Sequence, residues 1–280
     1  MISVLTNSTS LQAQRNLAST QSSLASSIGR LSSGMRINSA ADDAAGLGIS
    51  ENLKANIQSL GQAQRNSNDA ISMSQVAEGS MNDMQGIVSR MRELAVQSSN
   101  STLGDNERGY IQTEYTQLSQ EINRISSVTN FDGQNLLDGS ASTGLTFQVG
   151  INNTTNDRIS MSITKLTTST LGSTSLHIAS ASLSTAANAQ AAIGTFDTAI
   201  KQLSQARAKL GATQNRLQVT VSNLSVTSDN LTAANSRIRD VDVAQESSNL
   251  TKNQILSQAG LAVLSQANQI PQAALSLLRG

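Results

Sequence analysis

The stretch "IGTFDTAIKQLSQARAKLGATQNRLQVTVSNLSVTSDNLTAANSRI", residues 193–238, decides the fold class. Alternating steps of three and four link Ile193, Phe196, Ile200, Leu203, Arg207, Leu210, Gln214, Leu217, Val221, Leu224, Ser228, Leu231, Asn235 and Ile238. Arg207, Gln214, Ser228 and Asn235 are the polar members of an otherwise apolar series. Such spacing, sustained over many turns, predicts a coiled-coil-like helix. At 1.5 Å per residue that helix would be roughly 70 Å long. The expected fold is therefore mainly α, an elongated antiparallel helical bundle or coiled coil.

Partners for this helix lie in the first half of the chain. Met81, Met84, Val88, Met91 and Ala95 repeat the three-four step, and Ile57 and Leu60 begin a weaker seam before "QAQRNSND". Tyr115, Leu118, Ile122 and Ile125 mark a third helix, with "LGDNER", residues 103–108, as the turn before it. Short connections favour antiparallel packing of the three. The chain ends supply two narrower stripes. Leu17, Leu24, Ile28, Leu31 and Met35 form one, and Leu256, Ala259, Val263, Ile270, Ala274 and Leu277 form the other. Neither stripe is wide enough to hold a helix alone, so the terminal helices are expected to pair.

The middle of the chain changes period. Residues 145–149 and 159–163 alternate and carry Phe, Val, Ile and Thr, which predicts a β-hairpin. "TTSTLGSTSLHIASASLSTAANAQ" follows, rich in Ser and Thr, and reads as a loop or loosely packed excursion.

Composition removes several function classes. The 19 basic and 19 acidic residues cancel, so no general electrostatic case exists for nucleic acid or an anionic membrane. Aromatic residues are only 2%, which suits narrow helical seams better than a thick interior. With no cysteine there is no disulfide, no thiolate and no Cys-based zinc site. No apolar run reaches membrane-spanning length, and "MISVLTNSTSLQAQRNL" lacks a basic leader followed by an apolar block. Export without a cleaved signal, or a cytoplasmic location, is the expectation.

"RLSSGMRINSAADDAAGLGISENL", residues 30–53, poses the one chemical question. Adjacent Asp42 and Asp43 could serve acid/base or metal chemistry. Ser39-Ala40-Ala41-Asp42 instead fits a capping box, with the serine oxygen accepting a backbone N–H and carboxylates in the first turn. No histidine, cysteine or third acid lies near in sequence, so a helix start is preferred. His177, the single histidine, excludes a two-histidine zinc motif and reads as a solvated loop residue. No catalytic, cofactor or metal residue is assigned, and the chain is expected not to be an enzyme.

Both chain ends resemble bacterial flagellin, the filament subunit of the flagellum. "SLQAQRNLASTQSSLASSIGRLSSGMRINSAADDAAGLGIS", "RNSNDAISMSQVAEGSMNDMQGIVSRMRELAVQSSN" and "NFDGQNLLDG" resemble the family's N-terminal arm. "RAKLGATQNRL", "NSRIRDVDVA" and "ILSQAGLAVLSQANQIPQAALSLL" resemble its C-terminal arm. The resemblance implies a minimal member without separate outer domains. Residues 1–42 with 239–280 would form an inner terminal-helix domain. Residues 43–170 with 187–238 would form a helical rod domain with the hairpin, and 171–186 a short surface excursion in place of outer domains.

Function follows from the same resemblance: a structural subunit that polymerises into the flagellar filament for swimming. It implies type III export in unfolded form, assembly at the filament tip, and an extracellular location in the filament. Implied partners are further copies of the chain, a flagellin export chaperone, the filament cap and hook-junction proteins, and an innate Toll-like receptor of a host. Carried over residue by residue, Arg90, Leu94 and Glu114 would meet the receptor. Leu17, Leu24, Ile28, Leu31, Leu256, Val263, Ile270 and Leu277 would build the inner tube. Arg30, Arg36, Ser39, Asp42 and Asp43 would form the linker and helix start, with the arginines pairing carboxylates of the same or a neighbouring subunit. A hook–filament junction protein is the alternative, and an adhesin or receptor ligand that does not polymerise is the alternative of a different class.

Overall fold

The computed structural model describes residues 7–173 and 175–279, with the side chains of residues 270–279 outside that description. Five α-helices dominate the described residues: α1 (Ser8–Ser33), α2 (Ala44–Ser98), α3 (Asp105–Val128), α4 (Ala186–Arg239) and α5 (Val243–Arg279). Two small antiparallel hairpins lie between α3 and α4. One pairs β1 (Asn130–Phe131) with β2 (Gln134–Asn135), and the other pairs β3 (Leu145–Gln148) with β4 (Arg158–Met161). The contacts divide the chain into two units. The first is Met1–Ile57 with Asp229–Gly280, and the second is Gln58–Ser228.

The second unit holds the main core. Met81, Met84, Val88 and Met91 of α2 are fully buried, packed with Tyr115 and Ile122 of α3 and Phe196 and Leu203 of α4. Every α4 seam position named from the sequence is buried or partly buried, and Leu203, Leu210, Leu217 and Leu224 form its innermost line. That is what three-four spacing dictates, because it keeps one side of a helix on the same neighbour. The ion pair Arg92–Asp197 and the bond from Gln214 to Ser74 show that α4 runs antiparallel to α2. α2 is continuous through "QAQRNSND", where Ala63, Ser67 and Ala70 keep the seam narrow instead of breaking it.

Two expectations are corrected in this unit, and one hairpin is added to them. The turn before α3 occupies residues 99–104, since Asp105 and Glu107 already lie in the first helical turn. Acidic side chains are favoured there by the helix dipole. Residues 171–173 and 175–185 carry only one short 3-10 turn, Ile178–Ser180, yet they are no surface excursion: Leu171, Ile178 and Leu183 are at most 1% exposed. Tyr115 Oη donates to the Ile178 carbonyl, and Gln112 Oε1 accepts the Leu183 N–H at 2.6 Å. The hairpin β1–β2 was not expected. Its signal was Asp132-Gly133, both at positive φ (49° and 78°), which is the backbone that a two-residue turn of this hand requires.

In the first unit, α1 and α5 pack against each other in antiparallel order. Asn7 Nδ2 donates to the Ala267 carbonyl at 2.8 Å, and at the opposite end Arg30 lies 4.0 Å from Glu246. The terminal helices therefore pair, but not through the stripe predicted on α5. The sheltered face of α5 runs Asn253, Ser257, Gly260, Leu264 and Ala267. It meets the sheltered line Ser10, Ala13, Leu17, Thr20, Leu24, Ser27 and Leu31 of α1. Small residues win this face because they let two helices approach closely. A Cβ at Gly260 would stand 3.3 Å from Leu17 Cδ1. Leu256 (46% exposed) and Val263 (59%) face away, as does Ile28 (52%) on α1. Ile270, Ala274 and Leu277 lie outside the described side chains.

Candidate functional site

Two chains of residues, far apart in sequence, meet where α1 gives way to α2 and α4 gives way to α5. α1 ends on Gly34, whose φ of 71° is the left-handed cap that glycine adopts without a Cβ penalty. From there Met35 and Asp240 form an isolated antiparallel bridge. The Arg36 N–H donates to the Arg239 carbonyl at 2.6 Å, and the Val241 N–H donates to the Gly34 carbonyl at 3.0 Å. The two linkers are thus one hydrogen-bonded joint.

Side chains reinforce it. Arg239 donates Nη1 to Glu51 Oε1 at 2.5 Å and to Ser50 Oγ at 3.4 Å, and its Nε points at Met35 Sδ, 3.1 Å away. Ser50 Oγ in turn donates to Asn235 Oδ1 at 2.8 Å. The bond from Arg239 holds the Glu51 carboxyl below its ordinary range. Arg36 pairs no carboxylate among the described residues. Its Nη2 donates to the Ile238 carbonyl at 2.7 Å. Arg30 does meet carboxylates, 3.7 Å from Asp42 and 4.0 Å from Glu246.

The carboxylate pair divides its labour differently from a capping box. Asp43 is the cap of α2: its Oδ1 accepts the Gly46 N–H at 2.9 Å. Asp42 closes the turn before it, accepting from the N–H groups of Ser39 (2.9 Å) and Asn38 (3.2 Å) and from Ser39 Oγ (3.0 Å). The Ser39 hydroxyl is therefore a donor to Asp42 and does not cap the helix. Asp43 lies one residue nearer the helix and takes that role. Asp42 is held below the usual carboxylate range, first by the Ser39 N–H, then by the Ser39 hydroxyl and the Asn38 N–H. These hydrogen bonds favour the charged form.

The charged flank of the second unit is a separate cluster. Arg90 Nε donates to Glu114 Oε1 at 2.9 Å, and Nη1 to Glu93 Oε2 at 3.1 Å. Those bonds, Glu114 first, raise the Arg90 pKa further. Arg90 and Glu114 are exposed and joined. Leu94 is 1% exposed and belongs to the core, which corrects its placing as a contact residue: it offers a partner no surface. A polar layer lies further along α2 and α4. Arg207 Nη1 donates to Gln85 Oε1 at 2.9 Å, and Gln214 Nε2 to Ser74 Oγ at 3.0 Å and to Glu78 Oε2 at 3.2 Å.

Among the described residues no group of three or more His, Cys, Asp or Glu is placed to hold a metal ion, and no helix is long and apolar enough to cross a membrane. What the arrangement offers is mechanical: a close terminal helix pair with an apolar outer face, a bonded joint and a seamed bundle. Arg239, Glu51, Met35 and Glu246 were missed as site residues. The one sequence signal is for Arg239, the dense charge of "RIRDVD", which marks an element end without naming partners two hundred positions away.

Comparison with known proteins bears on this arrangement directly. The family model for the bacterial flagellin N-terminal helical region matches residues 4–142, and that for the C-terminal helical region matches residues 193–278. A flagellin of Halalkalibacterium halodurans is 45% identical over 273 residues, 98% of this chain and 98% of that protein. The flagellar filament 33 kDa core protein of Treponema phagedenis is 43% identical over 283 residues, again 98% of each. A solved structure described as a flagellar hook-associated protein, from Vibrio parahaemolyticus, has a TM-score of 0.60 at 16% identity, over 71% of this chain and 100% of that one. That last likeness is one of fold alone.

Proposed function

Because the chain belongs to the bacterial flagellin family and is a structural subunit of the flagellar filament, we propose how it assembles and what it meets. The outer apolar faces of α1 and α5, with Ile28, Leu256 and Val263, seat on copies of the same helices to build the inner tube of the filament. Leu17, Leu24 and Leu31 hold the pair together from inside. Residues 1–42 with 239–280 act as the inner domain, and residues 43–170 with 187–238 as the rod domain. A contact repeated from copy to copy without closing gives an open helical polymer.

The observation that carries this reading is the exposure of Ile28, Leu256 and Val263 on helices already paired with each other. Large apolar side chains at regular spacing on an outer face call for burial by a neighbour. The subunit travels unfolded through a type III apparatus and adds at the tip beneath the cap, next to copies seated on the hook-junction proteins. A flagellin export chaperone covers the α5 face until then. In a host, the exposed Arg90–Glu114 pair is the contact for a Toll-like receptor, with Leu94 supporting it from the core.

Electron microscopy of purified protein tests the assembly. Full-length chain should form long helical filaments, and Leu256→Ser with Val263→Ser should abolish them while the second unit keeps its helical content. Normal filaments from that double variant would overturn the proposed seat.

A further inference from the structure

We propose that Met35 is a methionine-oxidation site, and that its sulfoxide loosens the joint between the two linkers. Two observations carry it. Among the described residues, Met73, Met81, Met84, Met91 and Met161 are buried in the core of the second unit, whereas Met35 is partly exposed. A peroxide in solution therefore meets one thioether well before the other five. Second, Met35 Sδ sits 3.1 Å from Arg239 Nε, so its sulfur is a working acceptor in the joint.

The chemistry balances with hydrogen peroxide as oxidant. A sulfur lone pair attacks one peroxide oxygen, the O–O bond breaks and an S–O bond forms. Sulfur loses two electrons, the released hydroxide takes the proton from the sulfur-bound oxygen, and water leaves. The product is polar and larger. An oxygen added on the side facing Arg239 has no room at a 3.1 Å approach, so one side chain must swing away. An oxygen added on the other side leaves an electron-poor sulfur against a guanidinium, which repels it. Both outcomes end the direct contact between Met35 Sδ and Arg239 Nε. Arg239 also holds Glu51 and Ser50, and the Met35 backbone is bridged to Asp240, so the disturbance falls on all the strands of the joint.

The functional half of this inference rests on the filament reading above. The test treats the unassembled full chain with graded hydrogen peroxide and then assembles it into filaments. Peptide mass analysis then reads oxidation at each methionine, and light scattering reads the temperature at which filaments dissociate. Met35 should gain oxygen at least about tenfold faster than Met81, Met84 or Met91, following exposure. The dissociation temperature should fall in proportion to the Met35 sulfoxide fraction, and methionine sulfoxide reductase should restore it. Filaments of Met35→Leu should resist the same dose. Oxidation of Met35 no faster than that of the buried methionines overturns the site. Filaments with fully oxidised Met35 that dissociate at the untreated temperature overturn its effect, whether or not the leucine variant assembles. An untreated chain that forms no filaments at all contradicts the assembly reading instead, and the order of oxidation, read on the unassembled protein, still decides the site.

Discussion

Arg36 donates its backbone N–H to the carbonyl oxygen of Arg239 at 2.6 Å, joining the linker after α1 to the linker before α5. With the return bond from Val241 to Gly34, this makes the ends of four helices depend on one short antiparallel crossing. A bend at one linker must be shared by the other.

Gly34→Ala tests the crossing at its least tolerant position. No atom lies within 4 Å of a Cβ there, so the penalty is the positive φ of 71° alone. It should cost about 1 kcal/mol. The variant's filaments should dissociate at lower temperature than wild type. Gly29→Ala, in open space inside α1, should not lower it, because alanine favours the helix. Equal losses from both would show that glycine content, and not the left-handed cap, is what matters.

Asp43→Ala should weaken the start of α2 by about 1 kcal/mol through loss of the bond to the Gly46 N–H. Asp43→Asn retains an acceptor oxygen and should recover most of that loss. Ser39→Ala leaves Asp43 in place and should affect the helix start less than Asp43→Ala does. Thermal melts of the three variants, followed by circular dichroism, give the order. A larger effect at Ser39 than at Asp43 would restore the capping-box assignment.

How far these features could be read in the sequence depends on which residues carry them. The α4 seam was legible throughout, because leucines at heptad spacing impose their own burial. The same logic misplaced the α5 contact. It weights large side chains, so it chose Leu256 and Val263, whereas close approach is made by Ser257, Gly260 and Ala267. The large residues were left for the outside. In residues 171–186 the Ser and Thr content outweighed Leu171, Ile178 and Leu183, whose burial depends on core residues supplied by distant helices. The linker arginines were legible as charges, but their partners were not, since local spacing says nothing of Arg239 meeting Glu51.

Receptor recognition separates into two kinds of variant. Arg90→Ala removes a surface ion pair with Glu114, and such pairs contribute little to stability. It should lower stimulation of receptor-bearing cells while leaving the melting temperature of the soluble monomer unchanged. Leu94→Ala removes a core side chain and should cost about 2–5 kcal/mol. Any loss of stimulation there should follow loss of fold. Full stimulation by well-folded Arg90→Ala protein would exclude Arg90 as a contact.

The polar layer between α2 and α4 should behave as a register pin. Gln214 donates to Ser74, which is fully buried, and to Glu78. Gln214→Ala should cost about 1–2 kcal/mol, because the Ser74 hydroxyl loses this partner away from water. The check is urea unfolding of the full chain. An unchanged midpoint would mean that solvent replaces the amide and that the layer does not fix register.

Tyr115 links pH to the fold of the second unit. Burial raises its phenol pKa above the ordinary 10.0, and its Oη donates to the Ile178 carbonyl. The neutral form is therefore favoured in the folded state. That contribution is complete below the ordinary phenol value, and it is lost as pH rises through the raised folded value, since the unfolded chain ionises first. Wild-type protein should lose melting temperature across this alkaline window. Tyr115→Phe should start lower at neutral pH by about 1 kcal/mol, the Ile178 carbonyl having lost its donor. It should then decline less steeply than wild type with alkali. Melting curves from neutral to alkaline pH on both proteins decide the matter. Parallel declines would place the alkaline transition elsewhere and would imply that water reaches the Tyr115 hydroxyl.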